Sequence, residues 1–300
     1  MAGLNGNSNV RHARRGLAVY FFVLVPASAA LEFLVLRTGE PIQSHSGLIF
    51  LLMWCPAAAS VIARLALREG FRDVSFRFGG REGARALLIA WLYPLAVGFL
   101  AYGSAWATRT AAFAPPALEK LGLASAPPAS RFLALLALSL TIGTVYSIVT
   151  AAGEEIGWRG YMLTRLIDAR VPMPVLASGL IWGAWHLPLI LSGQYASSDR
   201  PALSAALFLV DIVAFAYLAA WLRLRSGSVW PAVLIHASWN VIIQNVFDAS
   251  TPGAPFWIGE SGILTTAVNV LLVFLILRSH RLPARSQARE DRAAVIALES

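Results

Sequence analysis

The sequence predicts an all-α, polytopic integral membrane protein of about eight transmembrane helices, with both termini in the cytoplasm. Composition is the first reason: of 300 residues, 57% are hydrophobic and only 13% charged, where an ordinary soluble domain carries about 25% charged residues. A mean hydropathy of +0.64 is the second. The third is a series of eight apolar windows, each close to the roughly 17–25 residues that cross the hydrocarbon core.

The first window, Leu17–Leu36, follows Arg11, Arg14 and Arg15. That basic start, the run Leu17–Val25 and Ala27-Ser28-Ala29 have the layout of a cleavable leader. The apolar stretch continues through Leu31–Leu36, however, and is long enough to span, so a retained helix is expected. Cleavage would leave the other seven orientations unchanged. Leu48–Leu67 and Ala84–Trp106 come next, and then the one long linker, Thr108–Ser130, with Pro115, Pro116, Pro127 and Pro128 around an amphipathic Ala117–Leu123 expected at the outer interface. The remaining windows are Phe132–Thr150, Pro172–Leu191, Leu203–Leu222, Trp230–Phe247 and Ile263–Leu277. Residues 1–16 thus read as a cytoplasmic segment, 17–277 as a single transmembrane domain and 278–300 as a basic cytoplasmic tail.

Orientation comes from the cations, because segments retained in the cytoplasm collect Lys and Arg. With the N-terminus inside, the inside segments hold the three N-terminal arginines, six from Arg64 to Arg85, three from Arg159 to Arg170, Arg223 and Arg225, and five from Arg278 to Arg292. That is nineteen of the 24 Lys and Arg; Arg37, Arg109, Lys120, Arg131 and Arg200 lie outside. The same bias accounts for the net charge of +8. The charges sit at alternate helix ends rather than in one patch, so nucleic-acid binding is not expected; the partner they fit is the anionic lipid bilayer. Cys55 is the single cysteine and reads as a small buried apolar residue, with no disulfide or thiolate cluster available to it.

Three segments carry chemistry. Glu154, Glu155 and Arg159 lie at the end of an apolar run from Leu133 to Ile156, and ionisable groups at bilayer depth usually pair or face a polar cavity. Residues four apart share a helix face, whereas neighbours diverge by about 100°. Glu155 therefore pairs with Arg159 while Glu154 points elsewhere, the freer carboxylate and the better general base. Ser147 and Thr150 fall on the face of Glu154 and suggest a wet groove. The competing reading is three juxtamembrane anchors at a helix end.

The second segment is Trp182-Gly183-Ala184-Trp185-His186. Trp182, one turn before His186, can roof the imidazole, and Pro188 loosens the helix just after it. A lone histidine on an apolar helix is otherwise a satisfied core residue. The third is His236-Ala237-Ser238-Trp239-Asn240, in which His236 and Asn240 share a face that Gln244 extends. These groups either glue helices together or present hydrogen-bond donors to a developing oxyanion. Asp211 and Glu32, also within spans, read as packing groups. A zinc site needs about three protein ligands, and Glu154, His186 and His236 are the candidates. That set would take Glu155 as base, break its pair with Arg159, and do so without an HExxH motif, so a mechanism requiring no cofactor is expected and zinc is the alternative.

In this order EEIGWR, WGAWH and HASWN match EExxxR, FxxxH (with Trp182 in place of the phenylalanine) and HxxxN. The chain so resembles the CAAX-protease and bacteriocin-processing family of intramembrane proteases over about Leu133–Phe247. The resemblance implies an eight-helix endopeptidase whose site opens to the cytoplasmic side. In it Glu154 and His186 would activate water, His236 and Asn240 would stabilise the oxyanion, and Glu155 and Arg159 would support them. Its substrate would be a membrane-anchored protein or peptide. With 23 arginines, one lysine and no recognisable eukaryotic sorting signal, the composition suits a bacterial inner membrane.

Two other classes compete. A non-catalytic scaffold or bacteriocin-immunity protein would keep the same polar cavity. A proton-coupled transporter would use Glu154, Asp211 and the histidines as a relay, but it predicts paired broken helices in two similar halves, which the sequence lacks. One mismatch of depth also needs resolving. His186 lies roughly 20 Å of helix beyond Pro172, at about 1.5 Å per residue, while Glu154 and His236 sit near the cytoplasmic ends of their windows. Span five is therefore expected to begin in the cytoplasm, with Pro172 and Pro174 outside the hydrocarbon.

Overall fold

The computed structural model describes residues 2–196, 199–253 and 255–279. Among them the chain forms eight helical rods and no strand. They are α1 (Ala2–Leu36), α2 (Ser46–Ala66, led in by a 3-10 turn), α3 (Gly80–Ala107), α4 (Pro128–Asp168), α5 (Pro174–Leu191), α6 (Pro201–Ser226), α7 (residues 230–248) and α8 (Ile263–Ser279). Six, α1 to α6, are long and apolar enough to cross a membrane by length and composition, and α8 is a shorter apolar helix.

The apolar windows located the rods but misjudged several ends. The largest error is α4, which runs for 41 residues rather than stopping at Thr150. At 1.5 Å per residue it is about 60 Å long, so Glu154 and Glu155 sit well inside the rod and not at its end. The chain hides the polar residues of this extension against other helices, where hydropathy takes them for the end of a span. α1 begins at Ala2, so residues 2–16 of the expected cytoplasmic segment continue the first helix. Ala117–Leu123 is not an amphipathic helix; only a 3-10 turn, Glu119–Leu121, forms there. The predicted tail from residue 280 lies outside the described residues.

α7 is the central rod, packed on α3, α4 and α6, while α4 also packs on α2 and α5 packs along α6. Close approach depends on glycine at two contacts. Gly153 and Gly157, one turn apart on α4, face α2, where a Cβ on Gly157 would lie 2.4 Å from the Pro56 carbonyl carbon. Gly179 and Gly183 do the same between α5 and α6, facing Val213 and Leu209. Both pairs have the small-xxx-small spacing that lets membrane helices meet backbone to backbone.

The loop between α2 and α3 ties one end of the bundle together through ions. Arg64 is fully buried and bonds Asp73 and, at 3.1 Å, the Gly160 carbonyl of α4. Arg165 of α4 pairs with Glu69 at 2.7 Å and Asp73 at 2.9 Å, and Arg223 of α6 donates to the Asp73 carbonyl at 2.7 Å.

Candidate active site

Glu154 and Glu155 extend from α4 just before a π turn, Trp158–Met162. Adjacent side chains diverge as expected. Glu155 Oε1 accepts hydrogen bonds from Arg159 Nη1 at 2.7 Å and from His236 Nδ1 of α7 at 2.9 Å. Glu154 Oε2 accepts from two indoles, Trp182 Nε1 at 2.9 Å and Trp158 Nε1 at 3.3 Å. Oε1 of Glu154 accepts no hydrogen bond among the described residues, so this carboxylate is half engaged rather than free. The expected hydroxyl groove is absent too, since Thr150 bonds back to the Ser147 carbonyl at 2.9 Å and Ser147 is buried.

The depth mismatch resolves through both rods. α5 begins at Pro174, leaving Pro172 outside the helix, and α4 continues past Glu154 as far as Asp168. Measured from those two ends, Glu154 and His186 each lie roughly 20 Å along their helices, at about 1.5 Å per residue. The two side chains thus reach the same level. His186 Nδ1 lies 2.9 Å from the Trp182 carbonyl. A carbonyl only accepts, so Nδ1 carries the proton and Nε2 of the neutral ring presents its lone pair.

Trp182 reaches all of these groups. Its indole N–H bonds Glu154, the guanidinium carbon of Arg159 lies 4.0 Å from its ring centroid, and its ring meets His186 and His236 edge-on at 5.8 and 5.3 Å. It does not roof His186; the ring stacked on that imidazole, at 5.7 Å and 26°, is Tyr195. Pro188 lies inside α5, which runs on to Leu191.

His186, His236, Asn240 and Trp182 line one cavity between α5, α6 and α7. Its volume open to water centres is about 30 Å³, enough for about two waters. Glu154 is not a lining residue; its Oε2 accepts from Trp182, which is. Gln244 does not extend the His236 stripe, because α7 changes to a π helix over Asn240–Asp248. It turns instead to Tyr195 and Glu260.

Two further carboxylates line the cavity: Asp211, which only the transporter reading had grouped with the histidines, and Glu260, which no reading of the sequence had placed in a site. Asp211 does pack as expected, accepting from Asn269 Nδ2 at 2.8 Å. Glu260 lies beyond the motif segments, in the loop between α7 and α8, and only its being buried marks it out. Burial pushes its carboxyl above the usual range, while hydrogen bonds from Gln244 and Trp239 draw it back.

A zinc ion needs about three converging ligands. Among the described residues no group of three or more His, Cys, Asp or Glu side chains is arranged to hold a metal ion. Of the alternative zinc ligands Glu154, His186 and His236, His236 bonds Glu155 and Glu154 faces the indoles.

Residues 134–242 match the family model described as Type II CAAX prenyl endopeptidase Rce1-like. Over that stretch the chain is similar to an Rce1-like domain. The match contains every candidate residue from Glu154 to Asn240 and ends before Glu260. No curated protein matches the chain. Proteases of that family are intramembrane endopeptidases that act on membrane-associated substrates, and the apolar helices of this chain are those of an integral membrane protein.

Proposed function

We propose that the chain hydrolyses a peptide bond of a membrane-anchored protein or peptide, using water activated by Glu154 and His186 and no bound metal. The observation that carries this reading is the tautomer of His186, whose Nδ1–H is held by a carbonyl so that Nε2 accepts, on a cavity it shares with His236 and Asn240. A water bridging His186 Nε2 and Glu154 Oε1 loses its proton to the carboxylate as its oxygen attacks the scissile carbonyl carbon. The carbonyl oxygen takes the negative charge, and His236 Nε2–H and the Asn240 amide donate to it. Donation from Nε2 needs the imidazolium form of His236, and Glu155 at 2.9 Å is its counter-ion. Arg159 holds Glu155 in turn. The tetrahedral adduct then collapses, the C–N bond breaks, and the departing nitrogen takes the proton from Glu154.

The site is proposed to open to the cytoplasmic face of a bacterial inner membrane. The test is turnover of a membrane-anchored peptide by the purified protein. Glu154→Ala is expected to lose at least about a hundredfold in rate, the scale of a general base. A folded variant with full activity would overturn the mechanism, and a wild type that binds but never cleaves would favour the non-catalytic scaffold.

A further inference from the structure

The cavity beside the histidines holds two carboxyl groups that the proposed hydrolysis does not use. Asp211 and Glu260 both line it, and both are buried. No Lys or Arg is among the lining residues; Arg159 stacks on Trp182 and is committed to Glu155. The placement of Glu260 is built. Gly259, at φ +119°, turns the loop, the Glu260 backbone N–H is held by Asp248 Oδ2 at 3.3 Å, and Asp248 is held by the Tyr102 hydroxyl.

Neither carboxylate is saturated. A carboxylate offers about four acceptor positions. Glu260 receives Trp239 Nε1 at 2.9 Å, one Gln244 amide at 3.1 and 3.2 Å and the Tyr195 hydroxyl, and Asp211 Oδ2 accepts nothing among the described residues. The rings of Tyr195, Phe208, Phe215 and Trp239 line the rest. Carboxylates with spare acceptor positions among aromatic faces suit a compact group with several N–H donors and a positive charge. Catalysis is near: Tyr195 stacks on His186 and its hydroxyl lies 3.2 Å from the Gln244 amide that bonds Glu260.

We propose that Asp211, Glu260 and these rings form a subsite for a primary ammonium group of the substrate, either a lysine side chain near the scissile bond or the free amino terminus of the peptide. The proposal rests on the hydrolase reading only for the ligand's being part of a peptide. It is tested with the full-length protein in detergent and membrane-anchored peptides that carry lysine or norleucine at one scanned position, each with a free and an acetylated amino terminus.

The best lysine peptide is expected to exceed its norleucine counterpart in kcat/KM by at least about tenfold, the scale of a buried charge contact. Glu260→Gln and, independently, Asp211→Asn are expected to bring that ratio toward one. If the ammonium is the amino terminus, acetylation removes the preference and lysine is immaterial. Binding to the Glu154→Ala variant gives the same comparison without chemistry. Glu260-dependent lysine or amino-terminal binding with no wild-type cleavage would keep the subsite and sink the hydrolase. Cleavage that depends on Glu154 but shows no ammonium preference, or a preference that survives both substitutions, would overturn the subsite.

Discussion

Glu154 and Glu155 separate by about 100° of helix, and that turn gives them different partners: two indoles for one, Arg159 and His236 for the other. The second pairing was half legible in sequence. The four-residue step from Glu155 to Arg159 is local, whereas His236 lies 81 residues away and no spacing rule reaches it. The indole partners of Glu154 were invisible for the same reason. Trp182 departs from the family phenylalanine, and its N–H holds the proposed base. A hydrogen bond to a charged acceptor is worth about 1.5–3 kcal/mol, so Trp182→Phe, which keeps the ring and removes the donor, is expected to lower kcat by about tenfold or more with helical content unchanged. Asn240→Ala is expected to lower kcat by about 10²–10³, with KM little changed, as for other oxyanion donors. Steady-state kinetics on both variants checks these values. Glu260 had no signal in the sequence beyond being a carboxylate in a loop.

Hydropathy found where the helices are because burial in lipid is read residue by residue; it failed at α4 because a buried ion is scored as an exposed one. Glu155, Arg159 and Arg165 are nearly sealed from solvent by neighbouring rods, so the helix continues to Asp168, well beyond the window that ends at Thr150. One packing signal was present in the sequence but not used. The glutamates of GEEIG lie between Gly153 and Gly157, and the glycine face explains why α4 can press on α2 while its carboxylates turn elsewhere. Gly157→Ala would place a Cβ against the Pro56 backbone, which cannot yield as a side-chain tip can. It is expected to destabilise the fold by about 1–3 kcal/mol. Gly47→Ala, with nothing within 4 Å of the added carbon, is the control and is expected to leave the unfolding temperature in detergent unchanged or slightly raised.

At the scale of the molecule, ion pairs close the end of the bundle that the arginine distribution assigns to the cytoplasm. Asp73 sits at their centre, bonded to Arg64 and Arg165. Asp73→Ala would leave Arg64 fully buried without its counter-ion, a loss of about 3–5 kcal/mol, and thermal unfolding should show it as a larger fall than Gly157→Ala. The orientation itself is tested in intact cells on a Cys55→Ala background: Lys120→Cys is expected to react with a membrane-impermeant thiol reagent, and Gly70→Cys only after permeabilisation. The all-helical, polytopic class follows from an additive property, apolar length, and so was readable. The cavity was not, because it forms where α5, α6, α7 and a distant loop meet. The most direct test of the central claim compares wild type and Glu154→Gln after exhaustive chelation, on one membrane-anchored peptide. Cleavage by the chelated wild type and at least about a hundredfold less by the folded variant is predicted; equal rates, or a wild type inactive until zinc is restored, would contradict it.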